Sequence, residues 1–382
     1  MFDLVIFFVF GLVLGILSGL VPGLHPNLVS AIIILQNLEY ENKAIIIVSM
    51  YAGHIVFSYV PAIFFGIPDE QTAISVLPGQ KMAREGKGIT ALKTIVVSVL
   101  IASGVSVLFI PLALQVYPIL YTLVKPHLIL ILVAISAFMI IKTKNPFYSL
   151  LIFLAAGFFG ACAFKIHMID VFLPLFSGFF AMGAILTYKK SEIAKQKEQN
   201  IDFGIIKYAL FGAFFGALAN LIPATSSPAQ VAALISVFIP FETLAYLAAI
   251  SAISVGQFLF ALASSVSIDK ARHGVIVNLG QIINIEQNMQ IILIYFLFGI
   301  ALSASLIYIL RKKISLLANI DFAQFNKLLA LYLLSTIFLI NGVGGVVVFA
   351  ISSLIGYITI KMNVERTIMM SAIIVPTIIL IY

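Results

Sequence analysis

The sequence has no tryptophan, a single cysteine and little charge: Asp, Glu, Lys and Arg make up 10% of its 382 residues. One thiol, Cys162, set in an apolar run, excludes a disulfide framework and a cysteine-based metal site. So little charge excludes a soluble domain, whose surface is covered by ionised side chains. Acidic residues are the scarcer sign, 15 against 22 basic, for a formal charge of +7. The excess does not point to nucleic acid, because Lys and Arg gather at the ends of apolar runs, where they orient helices in a membrane. Walker A and G-x-G-x-x-G patterns are missing, as are a nucleophile elbow, a Ser/His/Asp arrangement and any metal-ligand spacing. The chain therefore reads as neither an ATP-driven pump nor an enzyme, with no catalytic residues and no bound metal or organic cofactor.

What is present is apolar: 62% of residues are hydrophobic, and the mean hydropathy is +1.16. Runs long enough to cross a bilayer as helix follow one another along the chain. The fold class expected is an all-α, polytopic integral membrane protein of the cytoplasmic membrane, with the lipid bilayer as its first partner. The first run is flanked by Asp3 rather than by Lys or Arg and continues into a broken motif, so it does not read as a cleavable signal.

That motif, residues 11–27, organises the chain. An apolar helix carries Gly11, Gly15 and Gly19, then meets Pro22, Gly23 and Pro26, and a second apolar run, 28–35, starts behind Asn27. Prolines and a glycine at membrane depth release backbone N–H and C=O groups that must find partners inside the protein or in a water-lined cavity. The runs that follow are 44–66, 89–112, 119–141, 147–164 and 169–188, with a polar, glycine-rich stretch at 67–88. A charged segment, 189–202, reads as a solvated basic linker on the cytoplasmic side. The pattern then restarts: 203–221, a break from Pro223 to Pro228, a short run 229–238, a span 243–263, a polar stretch 264–281, and spans at 290–310, 328–340, 346–360 and 367–381.

Gly11, Gly15 and Pro22 meet Gly212, Gly216 and Pro223 at a constant offset of 201 residues. We read an internal duplication, residues 1–188 and 203–382 joined by the linker, each half a broken, re-entrant helix hairpin followed by about five transmembrane helices. Charge sets the orientation. Lys81/Arg84/Lys87/Lys93, Lys142/Lys144, the linker lysines, Arg311/Lys312/Lys313 and Lys361/Arg366 are all placed in the cytoplasm. The polar stretch 264–281 then falls outside while 67–88 falls inside, so the two halves are inverted, the design of many secondary transporters.

Two inverted breaks would meet near the midplane, where half-helix N-termini direct free N–H groups at an anion. The substrate-binding candidates are Pro22, Gly23, His25 and Asn27 in the first half and Pro223, Thr225, Ser226 and Ser227 in the second, with Asn27 as N-cap of its half-helix. His54, an ionisable residue inside a span, is a candidate for coupling or gating, with Gln257 its polar counterpart. Asp69 and Asp269, on the two polar loops, are candidates for a coupling-ion site or a gate. The coupling ion would be Na+ held by unwound backbone carbonyls or H+ carried by His54.

The order of these motifs resembles the TctA family, also known as DUF112, the large permease subunit of tripartite tricarboxylate transporters. The resemblance rests on Pro22-Gly23-Leu24-His25-Pro26, on Tyr51-Ala52-Gly53, on Ile67-Pro68-Asp69 and on the stretch from Pro78-Gly79 to Ala83-Arg84-Glu85-Gly86. It covers about the first 100 residues well and the second half in layout. Asp69, Gln71 and Pro78 depart from the family pattern, and residues 223–227 read Pro-Ala-Thr-Ser-Ser where the family has PGAGA. The resemblance implies a divergent, short permease, with a small membrane subunit and an extracytoplasmic binding protein as the family's partners. The expected function is secondary transport of an organic anion, a carboxylate, by alternating access. The alternative is a flippase or transporter of an anionic lipid such as a polyprenyl phosphate. An intramembrane enzyme would need a partner for His54, and a scaffold would have no use for two matched breaks.

Overall fold

The computed structural model describes residues 2–21, 24–65, 76–187, 194–222, 231, 239, 244–319 and 322–381. Every regular element among them is helical, as lipid demands of a backbone whose polar groups must pair within one segment. Six of these helices are long and apolar enough to cross a membrane, with four shorter apolar helices beside them. The protein is thus polytopic.

The first half holds α1 (Phe2–Leu20), α2 (Pro26–Ile34), α3 (Tyr40–Phe57), α4 (Tyr59–Phe64), α5 (Val76–Arg84), α6 (Gly88–Val124), α7 (Leu128–Ile141) and α8 (Pro146–Ala163). An apolar rod follows, made of α9 (Phe172–Phe176), a π-helical stretch at Ser177–Met182 and α10 (Gly183–Leu186). The second half holds α11 (Ile205–Ala219), α12 (Leu244–Ser267), α13 (Gly274–Gly280), α14 (Ile285–Ile314), α15 (Phe322–Lys361) and α16 (Ser371–Ile381).

Several boundaries differ from those read in the sequence; 328–340 and 346–360, for instance, form one helix element, Phe322–Lys361. The spans 89–112 and 119–141 were expected to be separated at 113–118, but α6 runs unbroken through Pro111 and Pro118 to Val124. Each proline removes only its own bond, to the Val107 carbonyl for Pro111 and to the Leu114 carbonyl for Pro118, and the rest of the helix continues through both. The turn falls instead at Lys125–His127, which holds the only charged side chain between Lys93 and Lys142. The apolar window 290–310 also widens by about a turn at each end. Asn284 caps α14 by accepting from the Gln287 N–H at 3.0 Å, and Arg311, Lys312 and Lys313 occupy its last turn, where cations suit the helix dipole.

Packing follows the glycines. A Cβ on Gly11 or Gly15 would run into the α3 backbone at Ile46 or Met50, and one on Gly19 would lie 2.9 Å from the Ser58 nitrogen. Position rises along both helices together, so α1 and α3 are parallel and the segment between them, with α2, returns the chain to its starting level. The same pair recurs in the second half. Gly212 faces Ala249 and Ala252 on α12, and Gly216 faces Ile253, Gly256 and Gln257. The two pairs are then clasped reciprocally. α14 lies along α3 and α1, while α6 lies along α12 and α11. Gly299 of α14 faces Ala52, and Tyr117 of α6 donates to the Ala217 carbonyl at 2.8 Å.

α15 is two helical segments joined at Gly342, whose φ of +62° and ψ of −156° suit only glycine. Beside the kink, the Asn341 amide holds the backbone of Asp170 by two bonds of 2.9 Å. From there the second segment runs parallel to the rod: Ser352 Oγ donates to the Pro174 carbonyl at 3.0 Å, and Gly356 lies against Phe179 and Gly183.

The linker, described from Ala194, is exposed but not loose. Ala194 N–H donates to the Arg84 carbonyl at 2.9 Å, Lys197 N–H to Gly86 at 2.8 Å, and Gln196 Oε1 accepts from the Gly88 N–H at 2.9 Å. Glu198 then pairs with Lys93 of the first half at 3.3 Å and with Arg311 of the second at 3.1 Å. Residues of three of the five basic clusters therefore meet at one place on the protein. The bond from Arg311, with that from Lys93, outweighs desolvation and holds the Glu198 carboxyl below its usual range. A depressed carboxyl stabilises the fold at neutral pH and loses that contribution as pH falls through its folded-state value. Glu198→Gln should lower the Tm of the detergent-solubilised protein by about 2 °C or less, since an ion pair open to water is worth below ~1 kcal/mol. Melts across pH should show the difference vanish in acid.

Candidate functional site

The first break is built as a helix start. His25 is extended (φ −72°, ψ 136°), as the residue before a proline tends to be, and its Nδ1 accepts from the Asn27 N–H at 3.2 Å. His25 is therefore the N-cap of α2. Asn27, expected in that role, lies in the first turn instead, because Pro26 with its preset φ takes the first helical position. The Asn27 carbonyl accepts from Ser30 Oγ at 2.9 Å and from Asn278 Nδ2 at 3.1 Å, and Asn278 Nδ2 also donates to Ser30 Oγ at 2.6 Å. Gly274, at the start of α13, faces the Asn27 side chain so closely that a Cβ would lie 2.5 Å from its amide atoms. The buried Oδ1 of Asn27 has no partner among the described residues. The first half's break is thus covered by the second half's polar loop.

Behind it stands an aromatic cluster that joins the halves. The rings of Tyr51 and Phe258 are 4.7 Å apart, those of Phe258 and Phe296 4.4 Å, and His273 packs edge-on against Tyr51 at 4.7 Å. His273 Nε2 and the Tyr51 hydroxyl are 2.7 Å apart. Burial first, and then the nearby His25, push the His273 pKa down to about 3, so the imidazole is neutral. Tyr51→Phe would strand the buried Nε2, a loss of ~1–3 kcal/mol. The expected result is a Tm lower by a few degrees with unchanged elution on size exclusion.

His54 is buried within the α1–α3 seam, with Nδ1 3.0 Å from Ser18 Oγ. Ser18 Oγ also lies 3.1 Å from the Gly15 carbonyl of its own helix. The second half places Asn220 and Gln257 on the corresponding seam, but there Asn220 Nδ2 donates to the main-chain carbonyls of Gln257 at 3.1 Å and Gly216 at 3.0 Å. Asp269 stands apart from all of these. It is exposed, with φ of +52°, on the rim of an open cavity of about 610 Å³. Pro22, Gly23, Asp69, Pro223, Thr225, Ser226 and Ser227 lie outside the described residues.

Of the expected residues, then, the structure sets His25 and Asn27 in the covered break, His54 and Gln257 on matching helix seams, and Asp269 at a vestibule. Sequence reasoning missed Tyr51, His273 and Asn278 as groups that close the break. The Tyr-Ala-Gly pattern marked Tyr51, but a partner 222 residues away left no sequence signal.

Comparison with known proteins gives two matches. A family model described as "Tripartite tricarboxylate transporter TctA family" matches residues 5–371. An uncharacterized protein of Methanocaldococcus jannaschii is 25% identical over 371 residues, covering 91% of this chain and 90% of that protein. No solved structure matches.

Proposed function

We infer the function from one premise: the chain belongs to the tripartite tricarboxylate transporter TctA family. It is the multi-pass permease of a secondary transporter that carries an organic anion, a carboxylate, across the cytoplasmic membrane by alternating access. The observation that supports this reading is the start of α2, where a broken helix presents its first turn and a buried, unpartnered Asn27 oxygen under a loop from the other half. Half-helix N-termini at a domain seam suit a carboxylate, and a seam is what alternating access opens and closes.

The recurring glycine-packed pair and its reciprocal clasp support the reading of residues 1–188 and 203–382 as inverted repeats about the linker 189–202. Family membership supports a place in a three-part assembly, with a small membrane subunit and an extracytoplasmic binding protein as partners. Na+ or H+ supplies the driving force. Uptake of labelled citrate, and of a panel of smaller acids, into proteoliposomes holding the permease with its small membrane subunit and binding protein tests the reading, and no flux for any of them overturns it. Imposing a Na+ gradient and a pH gradient separately identifies the coupling ion, since only the coupled gradient should drive accumulation.

A further inference from the structure

Segment 264–286 of the second half turns one side to the first break and the other to the open cavity. The cavity, about 610 Å³, falls in the range of small-molecule sites and is lined by Ser265, Asp269, Lys270, Arg272, Asn284 and Glu286. It lies at the far end of the molecule from the place where the basic clusters meet. α14 leads from Ile285 at the cavity to Arg311 at the Glu198 tie, about 40 Å of helix. α6 covers a similar length from Lys93 to Tyr121.

The cavity's four charges sum to zero, but they are not equivalent. Asp269, Lys270 and Glu286 are exposed, where water and salt screen them. Arg272 is half-buried in the cavity wall, its buried Nε has no hydrogen-bond partner among the described residues, and the Tyr121 hydroxyl lies beside it. No carboxylate pairs with it among the described residues. The loop that carries it is closed by Ser264, whose Oγ donates to the Lys270 carbonyl at 2.9 Å and whose carbonyl accepts from the Ile268 N–H at 3.1 Å. A guanidinium with no ion-pair partner is costly out of water, and its planar fork suits a carboxylate in two parallel bonds.

We propose that Arg272 is the anion-recognition residue of this vestibule, taking one carboxylate group of the transported acid on the face opposite the basic clusters. The proposal rests on the transport reading above and adds a named residue and an entry side to it. Its test is labelled-citrate uptake by the same three-part proteoliposomes carrying wild type, Arg272→Gln, Arg272→Lys or Tyr121→Phe, each checked by melting temperature. Arg272→Gln should raise the half-saturating concentration at least tenfold while the maximal rate at saturation stays within about twofold. Arg272→Lys keeps the charge without the fork and should give a rise of three- to tenfold. Tyr121→Phe removes only the neighbour and should change neither. Unchanged half-saturation in Arg272→Lys and in a folded Arg272→Gln overturns the proposal while leaving the transport reading intact. If wild type takes up no acid of the panel, both fall.

Discussion

Gly15→Leu is expected to leave almost no folded protein. At that position a side chain would enter the carbonyl of Met50, which belongs to α3 backbone and has no rotamer by which to move aside. Relief requires the two helices to separate along the whole seam that also holds Gly11, Gly19 and the Ser18–His54 bond. Overpacking usually costs ~1–3 kcal/mol where neighbours can shift, and more where the obstacle is backbone. Loss of the monodisperse peak in fluorescence-detected size exclusion is the readout. Gly212→Leu meets Ala249 of α12 in the same way and should fail equally, which tests the equivalence of the two helix pairs. Gly104→Ala is the control: nothing lies within 4 Å of its Cβ, and the exchange of glycine for alanine in a helix gains ~1 kcal/mol. It should melt at or above wild type.

The glycine rows were legible because their meaning is local. A small residue every fourth position can only describe a stripe down one helix face, and the structure places a helix on each stripe. The basic clusters were legible as helix ends, since charge is kept out of apolar spans. Glu198, between Lys93 and Arg311, brings residues of three of those clusters together. Helix length was less legible. The runs 89–112 and 119–141 left 113–118 between two spans, yet α6 carries on through those residues to Val124.

The site was legible only in outline. Pro22 to Asn27 announced a break, and Pro26 could have named His25 rather than Asn27 as the cap, because proline favours the first helical position. What covers the break could not be read. Asn278 reaches back across 251 residues to the Asn27 carbonyl, and His273 across 222 to Tyr51. Segment 264–281 showed itself as polar, but polarity marks a loop for water as readily as for a buried contact. The residues that meet there are chosen by tertiary packing alone.

Gly274→Val is expected to reduce citrate uptake at least tenfold while the protein still folds. A Cβ at this position would lie 2.5 Å from the Asn27 amide, so a branched side chain must push either Asn27 or the start of α13 out of place. Both movements open the cover over the α2 N-terminus and break the Asn278 bonds to the Asn27 carbonyl and Ser30. The neighbour here is a side chain, which can yield, so the cost to stability should be moderate, ~1–3 kcal/mol, unlike that at Gly15. A double-mutant cycle separates displacement from a general defect. Asn27→Ala removes the obstacle, so Asn27→Ala/Gly274→Val should melt above the sum of the single changes, a coupling of ~0.5–3 kcal/mol for residues in contact. Its uptake should stay low, because the Asn27 amide is missing from the site. If the double variant recovers stability and uptake together, Asn27 serves only to fill space under the loop. If it recovers stability alone, the amide at the first turn of α2 takes part in transport.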